Sequence, residues 1–142
     1  EAPRGRAVYA AAGCAACHRV AGEGSPFAPE LSDIGARGNP GHLIRALLDP
    51  GADVTEGFGL QTLTLTEDRV LTGRLHEETG DRVTLMQPDG SLAGVRRSEI
   101  LRTERLPGSA MPPYDRVLSA RDVADLVAWL GTLGQPSPTP TP

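Results

Sequence analysis

Both cysteines of the chain, Cys14 and Cys17, lie in one short stretch that ends in His18. Two thiols separated by two residues can add to the two vinyl groups of one porphyrin ring. The adjacent imidazole is then placed to bind the iron from the same side of that ring. Since residues three apart lie on one face of a helical turn, both sulfur atoms can reach one edge of the macrocycle. The C-x-x-C-H motif therefore predicts one covalently attached haem c, with His18 as an axial iron ligand.

Three other kinds of site use paired cysteines. A thioredoxin-like C-x-x-C follows a strand within a βαβ unit, whereas residues 5–13 are Ala-rich and helical in pattern. A structural zinc site needs four ligands, and the remaining histidines, His42 and His76, lie at spacings that fit no zinc finger. A disulfide across two residues would add little stability. The motif in its context therefore favours haem.

Composition limits the class of protein. The chain has 142 residues, 39% apolar and 23% charged, as expected for one domain or a small domain with an insertion. Aromatic residues make up only 4%, so a buried haem would supply missing apolar bulk. The net charge of −4 and the absence of lysine give no indication of nucleic acid or anionic membrane as a partner.

The sequence also bears on location. No apolar run approaches the roughly 18 residues of a transmembrane helix. The chain begins at Glu1 without Met, and we interpret it as a mature form or an excised domain. Because covalent haem attachment takes place outside the cytoplasm, we predict a periplasmic or extracellular location in a bacterium.

Three segments have the apolar periodicity of helices. The first spans residues 4–17. The second begins at Asn39-Pro40, a side-chain cap followed by proline, and ends before Pro50. The third begins at Ser119, whose spacing to Asp122 indicates a capping box. The predicted buried positions are Leu43, Ile44, Leu47 and Leu48 in the second helix, and Val123, Leu126, Val127 and Leu130 in the third.

Two segments rich in glycine and proline, residues 19–38 and 106–118, are predicted to be loops. In the first loop, the carbonyl of Pro29 could accept a hydrogen bond from the second ring nitrogen of His18, which would orient the ring. Leu31 could cover one haem face. The Pro-rich residues 135–142 predict an extended tail or linker.

A β-rich segment, residues 55–105, separates the second and third helices. Short runs of β-forming residues are separated by turn signals, of which Asp89-Gly90 is the strongest. They predict four or five antiparallel strands in a small open barrel. The segment carries no phosphate-binding loop and no cluster of carboxylates.

The second axial position of the iron could be filled by one of four side chains or by none. Met86 lies in a strand pattern, and His76 is followed by two glutamates at a predicted solvated strand end. Met111 precedes two prolines in the loop before the last helix. A thioether ligand there would raise the reduction potential relative to two histidines, and we favour Met111. The candidates are Met86, Met111, His42 and His76.

Four stretches together resemble class I cytochrome c, in the order of that family. These are Gly5 to His18, Phe27-Ala28-Pro29-Glu30-Leu31, Met111-Pro112, and the helix ending Leu126-Val127-Ala128-Trp129-Leu130. Ala28 departs from the glycine usual at that position.

The resemblance implies thioether attachment through Cys14 and Cys17, with His18 and Met111 as axial ligands. It makes the Pro29 carbonyl the partner of His18. It also implies that Gly5 and Tyr9 cross the last helix near Trp129. The implied cofactor contacts are Pro29, Leu31, Tyr9 and Trp129.

A closer resemblance covers nearly the whole chain. The β-rich segment, the preceding Asp49-Pro50 and the stretch Ser109-Ala110-Met111-Pro112 look like the haem-binding domains often fused to dehydrogenase-like β-propellers. This resemblance implies a mainly α cytochrome c core, residues 1–54 and 106–134, with a β insert before the methionine loop. The fold class is α+β overall.

These features predict a monohaem electron carrier that accepts electrons from a periplasmic dehydrogenase. Its redox partner would be that dehydrogenase or a terminal acceptor, and the β-rich segment would serve as a docking surface or as a cover for the haem. It would not be an enzyme itself, although it could be the electron-transfer domain of a larger oxidoreductase. The alternative is a haem-based sensor with a labile sixth ligand. A small peroxidase would need an open iron site and a distal acid–base residue, and beside the methionine loop only Arg116 could serve.

Overall fold

A computed structural model describes residues 1–136 and comprises four helices and seven strands. The predicted tail therefore lies outside the described residues, apart from residues 135 and 136. No helix in residues 1–136 combines the length and apolar character needed to cross a bilayer. The helices are α1 (Ala2–Ala11), α2 (Ile34–Arg37), α3 (Pro40–Leu48) and α4 (Ala120–Leu130). The strands are β1 (Arg19–Val20), β2 (Glu23–Gly24), β3 (Leu60–Leu65), β4 (Val70–Glu78), β5 (Arg82–Met86), β6 (Leu92–Arg96) and β7 (Ile100–Arg105).

The first helix is shorter than predicted. It ends at Ala11 instead of residue 17, because Gly13 adopts a left-handed conformation with φ +76°. Such a residue commonly terminates a helix, and glycine adopts it without steric cost. The following turn, Cys14–Ala16, is a 3₁₀ helix. The two cysteines therefore lie on a tighter turn than the α-helix that the sequence predicted.

The region predicted as a loop, residues 19–38, contains more regular structure than expected. Strands β1 and β2 form a two-residue antiparallel hairpin, and α2 forms one helical turn. The prediction was wrong there, because Gly22 and Gly24 support a hairpin with positive φ instead of an irregular loop.

Helices α1, α3 and α4 enclose the first hydrophobic core. In α3, the predicted cap is confirmed, since the Asn39 side chain accepts a hydrogen bond from the His42 amide at 2.9 Å. Of its predicted apolar stripe, Leu43 and Leu47 are buried, whereas Ile44 and Leu48 are 38% exposed. In α4, the Ser119–Asp122 capping box and all four predicted core positions are confirmed.

Gly5 permits the close crossing of α1 and α4. A Cβ atom at this position would overlap the carbonyl oxygen of Asp125 and lie 2.7 Å from Cβ of Trp129. Arg4 forms an ion pair with the buried Asp125 and donates to Asp122 at 2.9 Å. The first and last helices therefore pack backbone to backbone, with charged pairs at the edge of the contact.

Strands β3 to β7 form a five-stranded antiparallel sheet in the order β6-β5-β4-β3-β7. In a flat sheet, β6 and β7 would be roughly 19 Å apart. The connection from Arg96 to Ile100 spans at most about 14 Å. The sheet must therefore curl toward closure, which agrees with the predicted open barrel. It encloses a second core of Leu63, Leu65, Val83, Leu85 and Val95.

We predict that Gly5→Ala lowers the free energy of unfolding by about 1–3 kcal/mol, because the added methyl group must push α1 away from α4. Denaturant titration of the purified protein measures the change. The matched control is Gly41→Ala in α3, where the new Cβ would meet only its own cap at 3.4 Å. Equal stability of the two variants would show that the helix crossing tolerates a side chain.

Candidate functional site

The 3₁₀ turn at Cys14–Ala16 brings the three motif residues together. The amide of Cys17 donates to the Cys14 carbonyl at 3.2 Å, and the amide of His18 donates to the same oxygen at 2.9 Å. Both thiols are free and half-buried. Burial raises the pKa of the Cys14 thiol, which therefore stays protonated at neutral pH. A redox-active cysteine commonly has the opposite shift.

The His18 ring is held by the predicted backbone partner. Its Nδ1 atom lies 2.8 Å from the carbonyl oxygen of Pro29. Since a carbonyl can only accept, Nδ1 carries the proton and Nε2 keeps its lone pair. Burial lowers the pKa of His18, and the bond to Pro29 opposes this effect. The result is a neutral, oriented imidazole suited to metal ligation.

The His18 side chain lines a cavity with a volume of about 530 Å³. This volume falls within the range of cofactor and small-molecule sites. The wall is mostly apolar and combines residues from α1, the His18–Ile34 region, α3, the segment before β3, the methionine loop and α4. It includes Tyr9, Cys14, Phe27, Pro29, Leu31, Leu43, Leu47, Phe58, Met111, Leu126 and Leu130.

Met111 lies in the wall of the same cavity and is half-buried. Its amide donates to the Ser109 hydroxyl at 3.1 Å. Tyr114 anchors the loop, since its amide donates to the Leu47 carbonyl at 2.9 Å and its hydroxyl to the Ala12 carbonyl at 3.3 Å. Tyr114 was not among the predicted site residues, because both of its partners are distant along the chain.

The other candidate axial ligands are placed differently. Met86 is buried under Arg74, and neither Met86 nor His76 lies in the cavity wall. His42 lines the cavity from the first turn of α3, where it is exposed. The described residues form no group of three or more His, Cys, Asp or Glu side chains suited to a metal ion. Met111 is thus the candidate thioether that shares the cavity with His18.

Tyr9 and Trp129 form an aromatic pair, with ring centroids 5.0 Å apart and an angle of 52° between the planes. Tyr9 lines the cavity, whereas Trp129 lies behind it and is not part of the wall. The contact of Trp129 with a cofactor stays a prediction, whereas its position beside Tyr9 agrees with the crossing of the first and last helices that the resemblance implied. The Tyr9 hydroxyl is buried, has no hydrogen-bond partner within residues 1–136, and is available to a bound group.

The donor set and the cavity fit haem c. Two free thiols and a neutral imidazole share one turn, and a thioether lies in the same apolar cavity. This combination is suited to a covalently attached haem. Residues 2–56 match the family model described as Cytochrome c, so this part of the chain is similar to that family. The matched stretch includes the motif, Pro29 and α3. No curated protein matches the chain.

We predict that Tyr9 makes stability fall at high pH. Burial raises the pKa of Tyr9 to about 12, whereas the group ionises near 10 in the unfolded chain. The contribution of the neutral Tyr9 side chain to the free energy of unfolding is complete below pH 10. This contribution falls by on the order of 2 kcal/mol as the pH rises toward 12.

Urea titrations of wild type and Tyr9→Phe at several pH values between 8 and 12 test this effect. The variant should lose less stability over that interval, because phenylalanine has no proton to release. Parallel losses in both proteins would show that Tyr9 does not titrate in this way.

Proposed function

We propose that this chain is a monohaem c-type cytochrome that transfers electrons without binding a substrate at the iron. The observation that carries the proposal is the His18 imidazole, oriented by Pro29, facing an apolar cavity that also contains Met111. Haem c, when bound, supplies a one-electron ferrous/ferric couple.

The residues of the chain have separate roles in this proposal. Cys14 and Cys17 would hold the cofactor through thioether bonds, and His18 and Met111 would bind its iron. Pro29 fixes the tautomer and orientation of His18. Apolar side chains such as Leu31 and Leu126 exclude water from the iron, which favours ligands that stay unchanged during electron transfer.

The architecture proposed for this function is a cytochrome c core, residues 1–54 and 106–134, with residues 55–105 inserted before the methionine loop. Two observations support it. Helix α1 packs against α4, although these two helices lie at opposite ends of the described sequence. The barrel has its own hydrophobic core, separate from that of the helices.

Covalent attachment is tested first by a haem stain after denaturing electrophoresis. Wild-type protein matured in a bacterial periplasm should stain, and the double variant Cys14→Ala/Cys17→Ala should not. An unstained wild-type band, with the protein intact by mass, would contradict the proposal.

We predict that Met111→Leu removes the far-red sulfur-to-iron charge-transfer band of the ferric protein and lowers its reduction potential, because a thioether ligand stabilises the ferrous state. The matched control is Leu65→Met, which exchanges the same two side chains in the barrel core, outside the cavity. A band that persists in Met111→Leu would reject Met111 as ligand. A high-spin ferric spectrum in the wild type would instead favour the sensor function.

The proposed partner is a periplasmic dehydrogenase that docks on the β-rich segment and donates electrons. Three of the six exposed large apolar residues in the described chain, Val70, Leu92 and Leu101, lie on barrel strands. Leu101 is 67% exposed, so Leu101→Asp should leave the fold intact. It should slow reduction by the dehydrogenase but not by ascorbate. Equal slowing with both reductants would argue against docking there.

A further inference from the structure

Arg74 connects the barrel to the wall of the haem cavity. It lies in β4, in register with Leu60 of β3 and Met86 of β5. Its guanidinium donates to the carbonyl of Phe27 at 2.5 Å and to the carbonyl of Pro26 at 2.9 Å. It also lies 4.8 Å from the centre of the Phe58 ring. Both phenylalanines of the chain line the cavity, and Arg74 contacts the backbone carbonyl of Phe27 and the ring of Phe58.

The environment of Arg74 is unusual for a cation. Within residues 1–136, no carboxylate lies within ion-pair distance of it. Burial lowers the pKa of its guanidinium. Two carbonyl oxygens, an aromatic face and the sulfur of Met86, at 3.3 Å, take the place of a counter-ion. Such an arrangement depends on the planar fork of arginine, which lysine cannot reproduce.

A second contact from the barrel reaches the same loop. The Ser25 hydroxyl donates to the Pro88 carbonyl at 2.8 Å and accepts from the Phe27 amide at 3.2 Å. Gly90 lies so close to Pro26 that an added Cβ would be 3.0 Å from its ring. The barrel thus holds residues 25–27 from two sides, through β4 and through the β5–β6 turn.

Residues 25–27 are followed closely in the chain by Pro29, the hydrogen-bond partner of His18. The amide of Ala28 donates to the Cys17 carbonyl at 2.8 Å, and the amide of Leu31 donates to the Arg19 carbonyl at 2.9 Å. Pro29, between them, accepts from Nδ1 of His18. Only one residue, Ala28, lies between Phe27, whose carbonyl is bound by Arg74, and Pro29, whose carbonyl is bound by His18.

We propose that Arg74 is a positioning residue for the proximal ligand, and that the barrel acts through it to fix the loop that orients His18. The inference rests on the proposed function as a haem protein. It gives residues 55–105 a role inside the molecule, besides any docking of a partner.

The test compares Arg74→Lys, which keeps the charge, with Arg74→Gln, which removes it. Matched controls are Arg102→Lys and Arg102→Gln on β7, where the side chain is exposed and donates to Glu104 at 3.2 Å. The first readout is hydrogen exchange at the Ala28 and Leu31 amides and, in the haem-loaded protein, at Nδ1 of His18. The second readout is the reduction potential, since a weaker bond to Pro29 makes imidazole a poorer donor to ferric iron.

Both Arg74 variants should exchange these protons about tenfold faster, as expected for loss of hydrogen bonds from a charged donor. The reduction potential of Arg74→Lys should be higher than that of the wild type. The Leu85 amide, in the barrel, should exchange at the wild-type rate, and both Arg102 variants should behave as wild type.

Three outcomes would overturn the inference. Unchanged exchange and potential in both Arg74 variants would show that Arg74 does not position the loop. If only Arg74→Lys behaved as wild type, the positive charge at position 74 would be sufficient, and the planar guanidinium group would not be what positions the loop. Equal acceleration at Leu85 would show a general loss of stability. If the wild type carries no covalent haem, the proposed function fails, whereas the Ala28 and Leu31 amides still decide whether Arg74 holds the loop.

Discussion

The hydrogen bond between Nδ1 of His18 and the Pro29 carbonyl is the interaction on which the site depends. It leaves Nε2 as the only ring atom able to bind a metal, and it sets the direction of the ring. The surrounding structure maintains it from both ends. The 3₁₀ turn holds His18 through the Cys14 carbonyl, and the bonds from Ala28 and Leu31 hold the chain around Pro29. Because the ring is half-buried and neutral, it presents a lone pair to the cavity and not a positive charge.

Two hydrophobic cores meet at this loop. The helical core depends on the close approach of α1 and α4 at Gly5, while the barrel core is closed by its own strands. Arg74 and the Ser25–Pro88 hydrogen bond are polar connections between them, and the bonds of Arg74 end on the backbone of residues 26 and 27. A cation bound by carbonyl oxygens has a directional preference that apolar packing lacks, so it can define the position of one core relative to the other.

The parts of the fold that the sequence predicted are those set by local chemistry. C-x-x-C-H, the Asn39 and Ser119 caps and the apolar stripe of α4 each act within a few residues. The left-handed Gly13 was missed because a glycine in an Ala-rich helical pattern does not reveal its φ angle. Arg74, Tyr114 and Asp125 were missed for a different reason, since their respective partners Phe27, Ala12 and Arg4 lie 47, 102 and 121 residues away along the chain. Nothing in the local pattern of a strand shows that one arginine will face a distant loop.

The pairing of β3 with β7 has a consequence for how the chain is connected. Gln61 lies opposite Arg105, and the Leu106 amide donates to the Leu60 carbonyl at 3.0 Å, so the chain leaves the barrel beside the point where it entered. The 45 residues from Leu60 to Glu104 thus connect the helices in the way that a short loop would, because the two ends of this segment lie side by side. The hydrogen bonds of the β-sheet offset the conformational entropy that is lost when these ends are brought together. The barrel could lengthen, shorten or open along its far strands while α3 and the methionine loop remained at the same separation. A module joined in this way can change its outer surface without disturbing the haem cavity.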